Sequence, residues 1–204
     1  MRFGVNLELC ADLSLAVYDS FDWKADNIEG LSFAAHGCTY LACRGTSKNK
    51  QRGSFALAED VISNLRFMPR HNDVVGWAPG GFLEAGEAVA NQASKIQIRT
   101  GKPLVLTGHS LGAAAAFIAA EILLADGYPL LGAVGFGSPR TGRMRRLSES
   151  DLGRSYTLGN DVVCEVPPLW RDPLPRRYKL KRTEGKGGLL KDHAMEDYLR
   201  FLGR

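Results

Sequence analysis

The residues with the clearest chemical meaning are Gly108-His109-Ser110-Leu111-Gly112, a GxSxG pentapeptide within a chain of 204 residues. A serine hydroxyl is a weak nucleophile until a base removes its proton, so the motif gains meaning only from its setting and its partners. The setting is favourable. An apolar run, Leu104-Val105-Leu106, precedes the pentapeptide, and an alanine-rich stretch, residues 113–120, follows it. That order predicts a buried strand, a sharp turn and a helix, which together lift a serine side chain clear of a sheet. Gly108 and Gly112 would let strand and helix approach closely. The competing reading is a plain strand-to-helix turn with a solvated serine.

The base must come from elsewhere in the chain. Backbone adjacency points the His109 side chain away from Ser110, which makes it a packing residue. In strand–turn–helix nucleophile sites an acid and then a histidine follow the serine, and His193 is the one histidine downstream of Ser110. His36 falls in a hairpin turn and His71 in a polar loop, both read as surface side chains. Candidate acids between Ser110 and His193 are Asp126, Asp151, Asp161, Asp172 and Asp192. Asp161 is best placed, because Gly159-Asn160-Asp161 is the loop expected at the C-terminal end of a strand near Tyr156-Thr157-Leu158. Catalytic groups collect at such ends of open α/β sheets. An ordinary Asn-Asp turn is the rival reading.

The elements that must position these residues follow from periodicity. Residues 7–18 carry Leu9, Leu13, Ala16 and Val17 at helical spacing. Residues 31–35 and 38–44 flank His36-Gly37 and read as a β-hairpin. A helix-like pattern over 55–67 and a helix over 82–100 come next, then a strand over 103–107 and a helix over 113–124. A second buried strand covers 130–136; shorter strands are expected at 156–158 and 162–164, and a terminal helix over 193–201. Strand–helix alternation predicts an α/β layered fold in one domain spanning residues 1–204.

Composition supports that class: 45% apolar and 24% charged residues exclude a disordered or fibrous chain. The net charge of +4 is unevenly placed, since residues 140–204 carry 15 basic and 9 acidic side chains. Arg171, Arg176, Arg177, Lys179, Lys181, Arg182, Lys186 and Lys191 form the basic segment. Docking on an anionic membrane surface is one reading, each near-surface charge contributing about 1 kcal/mol; a solvated loop is the other. Only Trp170 and Tyr178 interleave with these charges, so no nucleic-acid partner is expected. Cys10, Cys38, Cys43 and Cys164 form no CxxC pair and no zinc-ligand spacing, so neither a metal nor another cofactor is expected. Cys38 and Cys43 should point to opposite faces of one strand. With no signal peptide and no transmembrane run, these thiols predict a cytoplasmic protein of a reducing compartment, with signal-independent export as the alternative.

Taken together, the motifs resemble the class 3 lipases, the filamentous-fungal lipase family of the α/β-hydrolases. The resemblance is carried by Arg44-Gly45-Thr46, Gly81-Phe82, the elbow at residues 107–112, Phe136-Gly137-Ser138-Pro139-Arg140, Asn160-Asp161-Val162-Val163 and Asp192-His193. It implies an α/β-hydrolase fold, with a mostly parallel sheet and helices on both faces. It implies Ser110, Asp161 and His193 as catalytic triad, with oxyanion-hole donors from Thr46 and Leu111 and a lipid or small ester as substrate. Asp60 would orient Thr46, with a helix-surface carboxylate as the alternative reading. Cys43 and Pro79 depart from the residues usual in the family, and the disulfides of secreted members have no counterpart. Residues 47–58, in the place of the family's lid, hold Lys48, Lys50 and Arg52 and only Phe55 and Leu57 as large apolar groups, which implies a minimal lid. The expected function is carboxylic-ester hydrolysis of the lipase or phospholipase type, through an acyl-enzyme; a thioesterase or other acyl hydrolase, or a silent lipid- or partner-binding protein of the same fold, are the alternatives.

Overall fold

The computed structural model describes residues 4–26, 28–45, 68–182 and 191–202. The expected helix-like stretch at 55–67 and the lid at 47–58 lie outside them. Helix α1 (Leu7–Ala16) opens the fold, its end capped by the Asn6 side chain, which accepts from the Leu9 N–H. Strands β1 (Trp23–Ala25), β2 (Ile28–Ala35) and β3 (Cys38–Cys43) then run antiparallel. The β2–β3 turn is the expected His36-Gly37, with φ of 51° and 76°. A two-residue hairpin turn that matches the twist of its strands needs both residues at positive φ.

A separate hairpin, β4 (Pro69–Asn72) and β5 (Gly76–Pro79), leads into α2 (Gly80–Thr100). The short polar β4 has no apolar alternation by which a sequence reading could find it. Strand β6 (Leu104–His109), helix α3 (Leu111–Ala125) and strand β7 (Leu130–Phe136) form the centre. Then come α4 (Arg145–Glu149), β8 (Gly153–Leu158), a 3-10 turn at Val162–Glu165 and β9 (Arg177–Leu180). A second 3-10 turn at Lys191–His193 precedes α5 (Met195–Phe201). Residues 162–164 are thus a turn and not the expected strand. The Asp161 side chain accepts from the Val163 N–H at 3.0 Å and caps the turn, overriding the strand preference of two valines.

Among the described residues the main sheet has the order β1-β2-β3-β6-β7-β8-β9, parallel from β3 onward. Every residue of β3 and β6 is buried, as strands covered on both faces require. Alternation sends Leu41, Cys43, Leu104 and Leu106 into the core beneath α2 and α3. Cys38, Tyr40, Ala42 and Val105 enter the core beneath α1 and α5. Cys38 and Cys43 therefore face opposite ways, as their spacing predicts. Helix α3 is almost wholly buried, its alanines giving α2 and the sheet a close approach. Side chains such as Phe82, Phe117 and Ile118, fully buried here, each contribute about 1.5–3 kcal/mol.

Candidate active site

Strand β6 ends at His109, and the chain turns sharply at Ser110, whose φ is 57° and ψ −126°. A non-glycine residue in that region carries strain of about 1–3 kcal/mol, held here by the surroundings. The Ser110 N–H donates to the Phe136 carbonyl at 3.0 Å, and the Ser110 carbonyl accepts from the Ala113 N–H at 3.0 Å. A Cβ at Gly108 would strike the Gly112 carbonyl, and one at Gly112 would strike the Cys43 carbonyl. The glycines of the pentapeptide are thus needed for contact on both sides of the turn. Leu111 begins α3, so its N–H has no partner within the helix.

Asp161 and His193 meet beside this turn. The His193 ring donates from Nδ1 to Asp161 Oδ2 at 2.8 Å, and both residues are buried. Because the carboxylate can only accept, the Nδ1 proton leaves Nε2 as the basic nitrogen. Both His193 Nε2 and Ser110 Oγ are buried without a hydrogen-bond partner among the described residues. Gly137, next after the residue that holds the Ser110 N–H, has φ 60°. A Cβ there would lie 2.9 Å from Asp161 Oδ2 and 3.0 Å from His193 Nδ1, so only glycine fits beneath the pair.

Electrostatics favour an ionised Asp161. Burial, the largest influence, pushes its pKa up. The adjacent His193, with hydrogen bonds from His193 and Tyr198, outweighs burial and holds the carboxyl below its ordinary value.

Sequence reasoning did not single out Tyr198, nor the supporting contacts of Asp192 and Arg182. Tyr198 of α5 donates to Asp161 Oδ2 at 2.7 Å, and its oxygen accepts from the Leu158 N–H at 3.0 Å. Asp192, buried, accepts from the Asn160 N–H at 2.9 Å and from Arg182 Nε at 2.9 Å, and Arg182 also reaches Asp197 at 2.7 Å. That network ties the loop of Asp161 to the turn of His193. The one signal for it in the sequence is an acid directly before the histidine. His109 does not bond Ser110, as expected; its ring instead contacts the His193 ring, with centroids 4.6 Å apart.

Of the other candidate acids, Asp172 pairs with Arg177 and Arg140, Asp151 with Arg154 at 2.8 Å, and Asp126 terminates α3. Arg177 also pairs with Glu165, at 2.8 Å. Arg177 and Arg182 of the basic segment are therefore ion-paired, while Arg171, Arg176, Lys179 and Lys181 are exposed. Thr46, Asp60 and Lys186, and the side chain of Lys191, lie outside the described residues. Gly45 is described, and a Cβ there would lie 3.4 Å from the Ser110 Cβ, so the segment leading to Thr46 packs on the serine turn.

The profile of the family Lipase (class 3) matches residues 40–170, which spans the elbow and Asp161. The chain belongs to the class 3 lipase family. A secreted mono- and diacylglycerol lipase of Fusarium solani is 37% identical over 129 residues, 58% of this chain and 38% of its own length. The chain thus spans well under half of that relative's length. Among solved structures, lipase II from Rhizopus niveus has a TM-score of 0.63 at 19% identity, covering 90% of this chain and 80% of that one. A triacylglycerol lipase from Penicillium expansum has a TM-score of 0.60 at 15% identity, covering 88% and 79%. At such identities the likeness is one of fold, and it is the α/β-hydrolase fold expected from the sequence.

The Fusarium lipase is a secreted one, which overturns the expectation of a cytoplasmic protein. Unpaired cysteines misled the compartment reading for a physical reason. All four are buried and unbridged, and burial pushes Cys10 and Cys43 up to about 12 and Cys164 higher. Cys10, Cys43 and Cys164 therefore stay protonated and inert in an oxidising or a reducing compartment alike. Among the described residues no helix is long and apolar enough to cross a membrane.

Proposed function

We propose that this chain is a serine carboxylic-ester hydrolase of the lipase type, with Ser110 as nucleophile, His193 as base and Asp161 as orienting acid. The observation that carries the reading is His193 Nε2. It is a basic nitrogen fixed by the 2.8 Å bond from Nδ1 to Asp161, buried and unpartnered. Ser110, with its equally unpartnered hydroxyl, stands on the strained turn nearby.

The reaction follows from these groups. His193 Nε2 takes the Ser110 proton as Oγ bonds to the ester carbonyl carbon, and the carbonyl oxygen becomes an oxyanion. The Leu111 N–H, together with Thr46, would hold that oxyanion, each donor contributing on the order of 3 kcal/mol. Asp161 stabilises the imidazolium without taking its proton. The carbon–alkoxide bond then breaks, His193 protonates the departing alcohol, and an acyl-Ser110 ester remains. Water, deprotonated by His193, attacks the acyl carbon; the acyl–Oγ bond breaks, the carboxylic acid leaves, and His193 returns its proton to Ser110 Oγ.

Mono- and diacylglycerols are the substrate class this reading takes over from the name of the Fusarium relative. Exposed Arg171, Arg176, Lys179 and Lys181 favour transient contact with an anionic lipid surface. Arg177 and Arg182 are committed to internal pairs, which leaves the charge available for docking smaller than the sequence count.

A fluorophosphonate probe tests the chemistry. Wild type should be labelled and Ser110→Ala should not; an unlabelled wild type, or label indifferent to the substitution, would refute the proposal. Rates on acylglycerols of increasing chain length would then define the substrate.

A further inference from the structure

We propose that Tyr18 and His109 form a positioning strut, locking the Gly45 segment beside Ser110 to the turn that carries His193. The inference rests on the esterase reading and adds two residues to its machinery.

The strut is a directed chain of hydrogen bonds. His109 Nε2 lies 2.7 Å from the His193 carbonyl oxygen, and a carbonyl only accepts, so Nε2 carries the proton. Nδ1 of the neutral ring is then an acceptor, and the Tyr18 hydroxyl, 3.0 Å away, donates to it. The Tyr18 hydroxyl also packs on Gly45, where an added Cβ would collide with it. One proton placement therefore orients both hydrogen bonds from Tyr18 to His193.

Each link has a local cause. Strand alternation puts His109 on the α1 face, where Thr107 also meets Ser14 at 2.9 Å, and Tyr18 lies two residues beyond the end of α1. Position 45 must be glycine, because a Cβ would collide with the Tyr18 hydroxyl and come within 2.9 Å of the His109 carbonyl. Arg44, just before it, is paired with Glu29 at 2.6 Å and lies over the Tyr18 ring, which holds the segment from the other side.

The surroundings also keep His109 uncharged. Burial, then the neighbouring His193, pull its pKa down to about 3, against Asp161 and the His193 carbonyl, which act to raise it. The other titratable groups facing its ring are Tyr18 and Tyr198. A neutral His109 adds no like charge beside His193 when the latter becomes an imidazolium. A serine-adjacent histidine is thus a strut and not a second base.

The test uses the full chain and a soluble short-chain nitrophenyl ester, with thermal melts on every variant. Tyr18→Phe should fold and lower kcat about 5- to 30-fold with KM nearly unchanged, because a displaced base or donor costs rate and not ground-state binding. His109→Phe should lower kcat by about 100-fold. His109→Gln, whose terminal amide can still donate to the His193 carbonyl, should recover much of that loss. Tyr18→Phe combined with His109→Phe should be no worse than His109→Phe alone, since both cut one chain. Full kcat in Tyr18→Phe, multiplicative losses in the double variant, or a glutamine no better than phenylalanine would each overturn the strut. A wild type inert to both the ester and a fluorophosphonate would remove the esterase reading, and the strut with it. An active wild type with an unaffected Tyr18→Phe removes the strut alone.

Discussion

Tyr198 donates its hydroxyl proton to the same Asp161 oxygen that accepts from His193, at 2.7 Å and 2.8 Å. The carboxylate is therefore held by side chains from two elements, and its lone pairs are aimed before any substrate arrives. Removing one donor should be felt at the base.

Tyr198→Phe is expected to lower kcat several-fold and to shift the acid limb of the pH–rate profile upward. Asp161 would lose one of the hydrogen bonds that keep it ionised against burial. Stability should fall by about 1–3 kcal/mol, because the buried Leu158 N–H also loses its acceptor. Steady-state kinetics across pH and a denaturant titration check both parts.

Ser110→Gly should separate stability from activity. At φ 57° and ψ −126° glycine relieves strain that serine bears. The variant should melt about 2–4 °C higher than wild type, lose fluorophosphonate labelling, and lose kcat on the order of 10⁴–10⁶-fold. A lower melting temperature would contradict the strain assignment.

Asp161→Asn should cost on the order of 10⁴ in kcat, since the amide stabilises the wrong imidazole tautomer. It should also alter stability against pH. A carboxyl held below its ordinary value of 3.8 stabilises the fold above its unfolded pKa, and the contribution is lost as pH falls through the folded value. Wild-type stability should therefore decline once pH drops below about 4, and the Asn variant should decline less. Urea titrations at successive pH values give the comparison.

Arg182→Ala should destabilise the fold by about 3 kcal/mol, because it strands the buried carboxylate of Asp192. Activity should fall with it, since Asp192 joins the Asn160 backbone to the turn of His193. Arg182→Ala combined with Asp192→Asn should recover part of the stability, which thermal melts would register.

What the sequence by itself determined is local. The Leu104–His109 strand, the turn at Ser110 and helix α3 follow from an apolar run, flanking glycines and an alanine stretch, all within a few residues of one another. The hairpin turn at His36-Gly37 is legible for the same reason. Chain order left His193 as the candidate base, and the loop after Tyr156-Thr157-Leu158 favoured Asp161 among five acids.

Tertiary structure alone decided how those groups are held. Tyr18 and His109 lie 91 residues apart, and Tyr198 and Asp161 lie 37 apart. Each pair meets only because the sheet brings α1, β6, β8 and α5 to one end. The valines after Asp161 read as a strand until its side chain capped them into a turn. The basic segment read as free charge until Arg177 and Arg182 found acids on other elements. Hydrogen-bond direction and ion pairing depend on distances that folding creates, and residue type and spacing along the chain do not carry those distances.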